Sequence, residues 1–295
     1  MRQVEFPEIK LSFNVPENLA ECSTKEYLAI SYLAMQYLGA TINFEEFKIH
    51  AITTLMNMKV SKKFKDNEDV NANIYYLSQL IDGYFYEKVD EKDKKKKKLL
   101  DLNFLQIKIP FVKTTYKKYH APTNTLFELT YGEFADASRV FEDFHASGDV
   151  FNLYLLASIL YRQRKPFTKK IKPYKAAAIE KQAKHFQKYV SLSFVYGVYL
   201  QFLAFKQYIP VAKIPWSGQT LNFEILFEGD ADDTEKTIPG IGVDSMVFSL
   251  AESGVFGSTE NVRTANFLEI MIHLYDLRRR DLDRQKQEKA DANNK

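Results

Sequence analysis

The chain holds one cysteine, Cys22, and one tryptophan in 295 residues. A single thiol excludes a disulfide framework and any cysteine-based zinc site. The net charge is only +3, too little to imply nucleic-acid binding by itself. Long apolar runs are also scarce. Residues 189–205 (YVSLSFVYGVYLQFLAF) are uncharged, but they fall short of the roughly 20 apolar residues of a membrane span and include Ser191, Ser193, Gly197 and Gln201. They read as a buried helix, so no membrane partner is expected. The opening MRQVEFPEIK has no apolar core or small-residue cleavage site, so no secretory signal is expected. The N-x-S/T glycosylation signal is missing too.

Catalytic signatures are equally sparse. His50, His120, His145, His185 and His273 form no H-x-x-x-H or H-E-x-x-H pair, which leaves no histidine metal site to expect. Neither G-x-S-x-G nor a phosphate-cradling G-x-x-x-x-G-K-[ST] occurs. Gly240 and Gly242 make a lone G-x-G behind an acidic loop, which is no dinucleotide fingerprint. Asp230, Asp232 and Asp233 do not meet the spacing of a calcium loop. Cys22 precedes a helix cap but has no histidine partner in sequence, so it reads as an inert small residue. The expectation is a protein without enzymatic activity, metal or cofactor.

What the chain has in quantity is aromatic side chains: 23 Phe and 18 Tyr. With so modest a net charge, they exclude disorder of the chain as a whole. The length suits one large domain or two ordinary ones. Charge is segregated. Residues 88–98 (KVDEKDKKKKK) carry seven Lys, residues 162–175 (RQRKPFTKKIKPYK) seven basic residues and no acid, and residues 224–235 (EILFEGDADDTE) six acids and no base. Charge runs ordinarily form solvated faces. The sharper expectation is that the second and third pair with each other, within the chain or between copies. Arg162, Arg164, Lys165, Lys169, Lys170 and Lys172, with Glu228, Asp230, Asp232 and Asp233, are therefore the candidate interaction residues.

Periodicity predicts a mainly α fold, helical bundle units with a minor β component. Strict alternation predicts strands near 9–15 and 104–112, and their placement at either end of a helical trio suggests that they pair. Capping boxes at Ser23/Glu26, Asn43/Glu46 and Thr130/Glu133 mark helix starts, and Gly148 marks a stop. Further helices are expected near 71–85, 151–161, 175–188, 190–208 and 243–252, and from about Thr264 to the charged end. Tyr75, Tyr76, Tyr84, Phe85 and Tyr86 read as core aromatics on a helix face. Two units are expected, residues 1–125 and 126–295.

Several short motifs run along the chain: Thr130-Tyr-Gly-Glu133-Phe134, the run from Phe151 to Tyr161-Arg162, and Lys169-Lys170-Ile-Lys172-Pro173-Tyr174. Phe248-Ser-Leu-Ala251, Gly254-Val-Phe256-Gly257, Asn266-Phe267-Leu268-Glu269 and Leu274-Tyr275 follow, and Val15-Pro16-Glu17-Asn18 with Thr24-Lys25-Glu26-Tyr27-Leu28 opens the set. Together they resemble tail-assembly-chaperone-like proteins of tailed bacteriophages of Bacteroidetes hosts. A tryptophan-containing opening usual in that group is not kept, and residues 87–98 stand as an insertion. The resemblance implies a non-enzymatic virion-assembly protein with no catalytic residue to carry over. Its partners would be virion proteins: tape measure, tail or head–tail junction subunits, and further copies of itself. It would act in the host cytoplasm, or stay in the particle as a connector or ring protein. A basic nucleic-acid-binding module using 88–98 and 162–175 is the alternative reading. Residues 189–205 are the first place to look for a partner-facing aromatic surface.

Overall fold

The structure is a computed structural model, and it describes all residues except 8–9, 59–66, 90–93, 95, 123–124, 169, 228–242 and 294–295. The chain is mainly α with short two-stranded sheets, in agreement with the periodicity. Its helices are α1 (Thr24–Leu38), α2 (Phe44–Leu55), α3 (Glu68–Ser78), α4 (Tyr131–Ser147), α5 (Phe151–Leu160), α6 (Ile179–Tyr189), α7 (Leu192–Tyr208), α8 (Val243–Glu252), α9 (Thr259–Thr264) and α10 (Phe267–Asn293).

The predicted caps form. Ser23 Oγ accepts from the Glu26 N–H at 3.4 Å while Glu26 Oε2 accepts from the Ser23 N–H at 2.8 Å. Asn43/Glu46 and Thr130/Glu133 repeat the reciprocal arrangement, which satisfies helix-end donors that have no intrahelical partner. Gly148 ends α4 at φ +69°, a conformation in which glycine meets no Cβ penalty.

The apolar α7 is the axis of the fold, packed on α1 and α5. Phe194, Phe202 and Phe205 are all but fully buried. Each such side chain contributes about 1.5–3 kcal/mol relative to exposure. This bears out the reading of 189–205 as a buried helix and leaves those three rings unavailable to a partner. Gly197 lets α1 approach, and the Tyr27 hydroxyl donates to the Gly197 carbonyl at 2.8 Å. One buried apolar cluster runs from Val15 to Met271, so residues of both sequence-defined units share a core.

Among the described residues there are four antiparallel two-stranded pairs: β1 (Arg2–Phe6) with β2 (Leu11–Val15), β3 (Phe85–Val89) with β4 (Lys96–Leu100), β5 (Phe111–Lys113) with β6 (Lys118–His120), and β7 (Lys213–Trp216) with β8 (Gln219–Asn222). The expected pairing of 9–15 with 104–112 is therefore wrong. β2 pairs with β1 in the register Arg2↔Val15 to Phe6↔Leu11. Of 104–112 only Phe111 and Val112 are in a strand. Side chains satisfy the backbone of 105–109 in place of a neighbouring strand. Gln201 Nε2 donates to the Leu105 carbonyl, Lys108 N–H donates to Gln201 Oε1, Thr24 Oγ1 donates to the Lys108 carbonyl, and the Tyr161 hydroxyl donates to the Ile109 carbonyl.

Within the lysine run, Lys96, Lys97 and Lys98 belong to β4. The helix expected at 71–85 ends at Ser78 and tightens into a 3₁₀ turn over Gln79–Tyr84. Tyr84 is buried and Phe85 half-buried, but Tyr75, Tyr76 and Tyr86 are exposed, which corrects the reading of all five as core.

Candidate binding surfaces

Among the described residues, no three His, Cys, Asp or Glu side chains are grouped so as to hold a metal ion, and no helix is long and apolar enough to cross a membrane. Cys22 lies in the core against the Tyr84 hydroxyl, and burial pushes its thiol up to about 11, away from nucleophilic chemistry at neutral pH. Two of the grooves formed by the described residues are chemically distinctive, one basic and one apolar.

The basic groove, about 580 Å³, lies between the β5–β6 hairpin, the end of α5 and the start of α6. Lys117, Arg162, Lys172, Lys175, Lys181 and His185 line it, and no carboxylate does. Residues 163–165 and 170–172 pair as a narrow ribbon, and its base, Gln163 and Lys172, lines the groove. Lys172 N–H donates to the Gln163 carbonyl and Lys165 N–H to the Lys170 carbonyl, each at 2.8 Å, and Arg164 bridges to Ile171 between them.

The candidate basic residues thus divide. Arg162 faces inward, and its Nη2 stands 2.6 Å from Oε1 of the buried Glu133. That contact is ionic rather than a directed hydrogen bond, because Glu133 Oε1 has no hydrogen-bond partner. The same carboxylate accepts the Thr130 N–H through Oε2, so the α4 cap and the basic loop share one buried charge. Lys172 lines the groove, with Nζ 2.8 Å from Gln163 Oε1. Arg164, Lys165 and Lys170 sit on the ribbon. Lys169, Glu228, Asp230, Asp232 and Asp233 lie outside the described residues. Within the acidic stretch Glu224 takes the Asn222 side-chain amide at 3.0 Å. Among the described residues, the basic loop is tied inward to α4, through Arg162 with Glu133 and Tyr174 with Asp136.

Positive charge is dense enough here to act on neighbours. His185, whose Nε2 is 3.1 Å from Thr114 Oγ1, is held below the ordinary histidine range by desolvation first, then by Lys117 and Lys188. His120 is lowered in the same way, by desolvation, Arg164 and Lys118.

The apolar groove, about 570 Å³, lies between α4, the end of α7, α8 and α10. Phe134, Ile209, Phe227, Met246, Phe267 and Leu274 supply its apolar wall, and Lys206, Arg278 and Asp281 its polar edge. Around the Phe134 end the rings are tightly packed, with Phe134 and Phe267 centroids 4.3 Å apart and their planes tilted by 41°. Phe227 and Met246 stand 51% and 38% exposed, so the groove opens outward through large apolar side chains. Sequence reasoning singled out none of these as a surface. The aromatic pattern predicts burial, and only the crossing of α4 by α10 shows where burial stops.

Comparison with protein-family models, with curated proteins and with solved structures finds no match.

Proposed function

We propose that the protein is a non-enzymatic binding protein of bacteriophage assembly, of the tail-assembly-chaperone kind, which holds an apolar helix of a partner virion protein in the groove between α4, α7 and α10. One observation carries this reading: an open groove with aromatic walls and a charged edge, the form that takes an amphipathic helix by its apolar face. The motifs at Thr130–Phe134 and Phe267–Leu274 that resemble such chaperones supply walls of this groove. The chain's own neighbouring stretch 228–242 (EGDADDTEKTIPGIG) is acidic and carries no amphipathic helical pattern, so it is a poor occupant. A tape measure protein, or a tail or head–tail junction subunit, is the partner class.

Co-purification from infected cells tests this. The wild-type chain should retain a virion protein, and Phe227→Asp with Met246→Asp should lose it while the thermal transition stays in place. A wild-type monomer that retains no virion protein refutes the reading.

A further inference from the structure

The basic groove is not used by this reading, and its features converge on a different ligand. Lys117, Lys172, Lys175 and Lys181 line it without a carboxylate, and among the described residues none of the four is in an ion pair. The helical segment that begins at Ala176 enters the groove with no side-chain cap, at Lys175 or again at Ala178. The first turn of α6 holds one acid, Glu180, which is exposed, outside the groove lining and paired with Lys184, and the uncapped start beside the lysines favours an anion. Ser158, fully buried in the groove wall, has a hydroxyl with no hydrogen-bond partner.

The ribbon adds an aromatic. Its tip residue, Phe167, is fully exposed at φ +57°. The ribbon base, Gln163 and Lys172, is itself part of the groove lining. Four residues of extended chain place the tip about 13 Å from that base at most. An anion groove with a bare ring at this range matches a strand that has both phosphates and unpaired bases.

We infer that the groove and the Phe167 ribbon together bind single-stranded nucleic acid. The lysines and the start of α6 hold backbone phosphates, and Phe167 stacks on a base. An acidic protein segment would use the lysines but gain nothing from an exposed ring on a basic ribbon.

Fluorescence anisotropy with a labelled 12-residue oligothymidylate tests this. Binding at low salt should weaken as salt rises, with a slope near −3 for roughly four phosphates held. Phe167→Ala should weaken binding about 5- to 100-fold, the usual range for losing one stacked base. Lys175→Glu with Lys181→Glu should both weaken binding and flatten the salt slope. All are exposed positions, and an unchanged circular dichroism melt confirms the fold. Backbone amide shifts at Gln182 and His185 on titration place the strand in the groove. The inference is overturned if the oligonucleotide does not bind at low salt, if a duplex of equal length binds as tightly, or if a polyglutamate peptide competes equally and Phe167→Ala changes nothing. None of these outcomes bears on the apolar groove, which the Phe227 and Met246 substitutions probe separately.

Discussion

Replacing Asp136 with alanine removes the charge that ties three separated segments together. The carboxylate is buried on α4, with its side chain 6% exposed. Its Oδ2 accepts from the Tyr174 hydroxyl at 2.6 Å and from Arg263 Nη2 at 2.6 Å, and its Oδ1 from Arg139 Nη2 at 2.8 Å. Arg139 is 59% exposed and contributes little through solvent screening. Tyr174, at the end of the basic loop, and Arg263, on α9, matter more. A hydrogen bond to a charged group contributes about 1.5–3 kcal/mol. Arg263, 28% exposed, regains part of its hydration once the carboxylate is gone. The expected loss is about 3 kcal/mol, or roughly 6 °C in melting temperature at about 2 °C per kcal/mol for a chain of this size. Urea titration followed by circular dichroism measures it. Tyr174→Phe alone should cost about 1.5 kcal/mol. The double variant Asp136→Asn with Tyr174→Phe should be less destabilised than the sum, with a coupling of about 1 kcal/mol. An Asp136→Ala chain within about 0.5 kcal/mol of wild type, the range of ordinary surface substitutions, would refute the argument. So would strict additivity in the cycle.

Gly132→Ala should destabilise by about 1–3 kcal/mol, because a Cβ there would stand 2.9 Å from the Arg263 carbonyl oxygen, and backbone cannot rotate away. The Tyr131 N–H bond to the Ala265 carbonyl at 2.9 Å fixes that approach, and urea midpoints check the size. Stability should fall on mild acidification. His120 and His185 are both lowered in the folded chain, so the unfolded chain takes up the proton first. Their contribution is complete above the ordinary histidine value near 6.5 and is lost as the pH drops from there through the lowered values of the folded chain. Denaturation midpoints between pH 7.5 and 5 should decline, and His120→Gln with His185→Gln should shallow the decline; a wild-type chain equally stable at both ends contradicts the assignment.

The helices were legible in the sequence wherever a local device marks them. Ser23/Glu26, Asn43/Glu46 and Thr130/Glu133 close their capping boxes within one turn of chain, so nothing distant is needed to form them. The run 104–112 misled, because alternation in sequence does not say what satisfies the backbone. Here Gln201, Thr24 and Tyr161 do so, from α7, α1 and the end of α5. The pairing expected between the two charge runs involves acids outside the described residues, and what the fold adds is an inward partner for Arg162 that the sequence assigned only to a cap, Glu133. In the basic loop, Arg162 and Lys172 were singled out as interaction residues and both line the groove, yet only Arg162 is paired with a buried carboxylate, a distinction carried by the fold alone.

By itself, then, the sequence determined the class: a mainly helical protein with an aromatic interior and no cysteine framework, because periodicity, caps and composition act over a few residues. Tertiary structure alone decided which aromatics line a surface and which charges are spent inside. Phe205 is buried and Phe227 half exposed, though both are phenylalanines in apolar surroundings. The difference arises because burial depends on which element crosses overhead. Here Phe267 of α10 packs on Phe205, with ring centroids 5.6 Å apart, while Phe227 and Met246 stay at the rim.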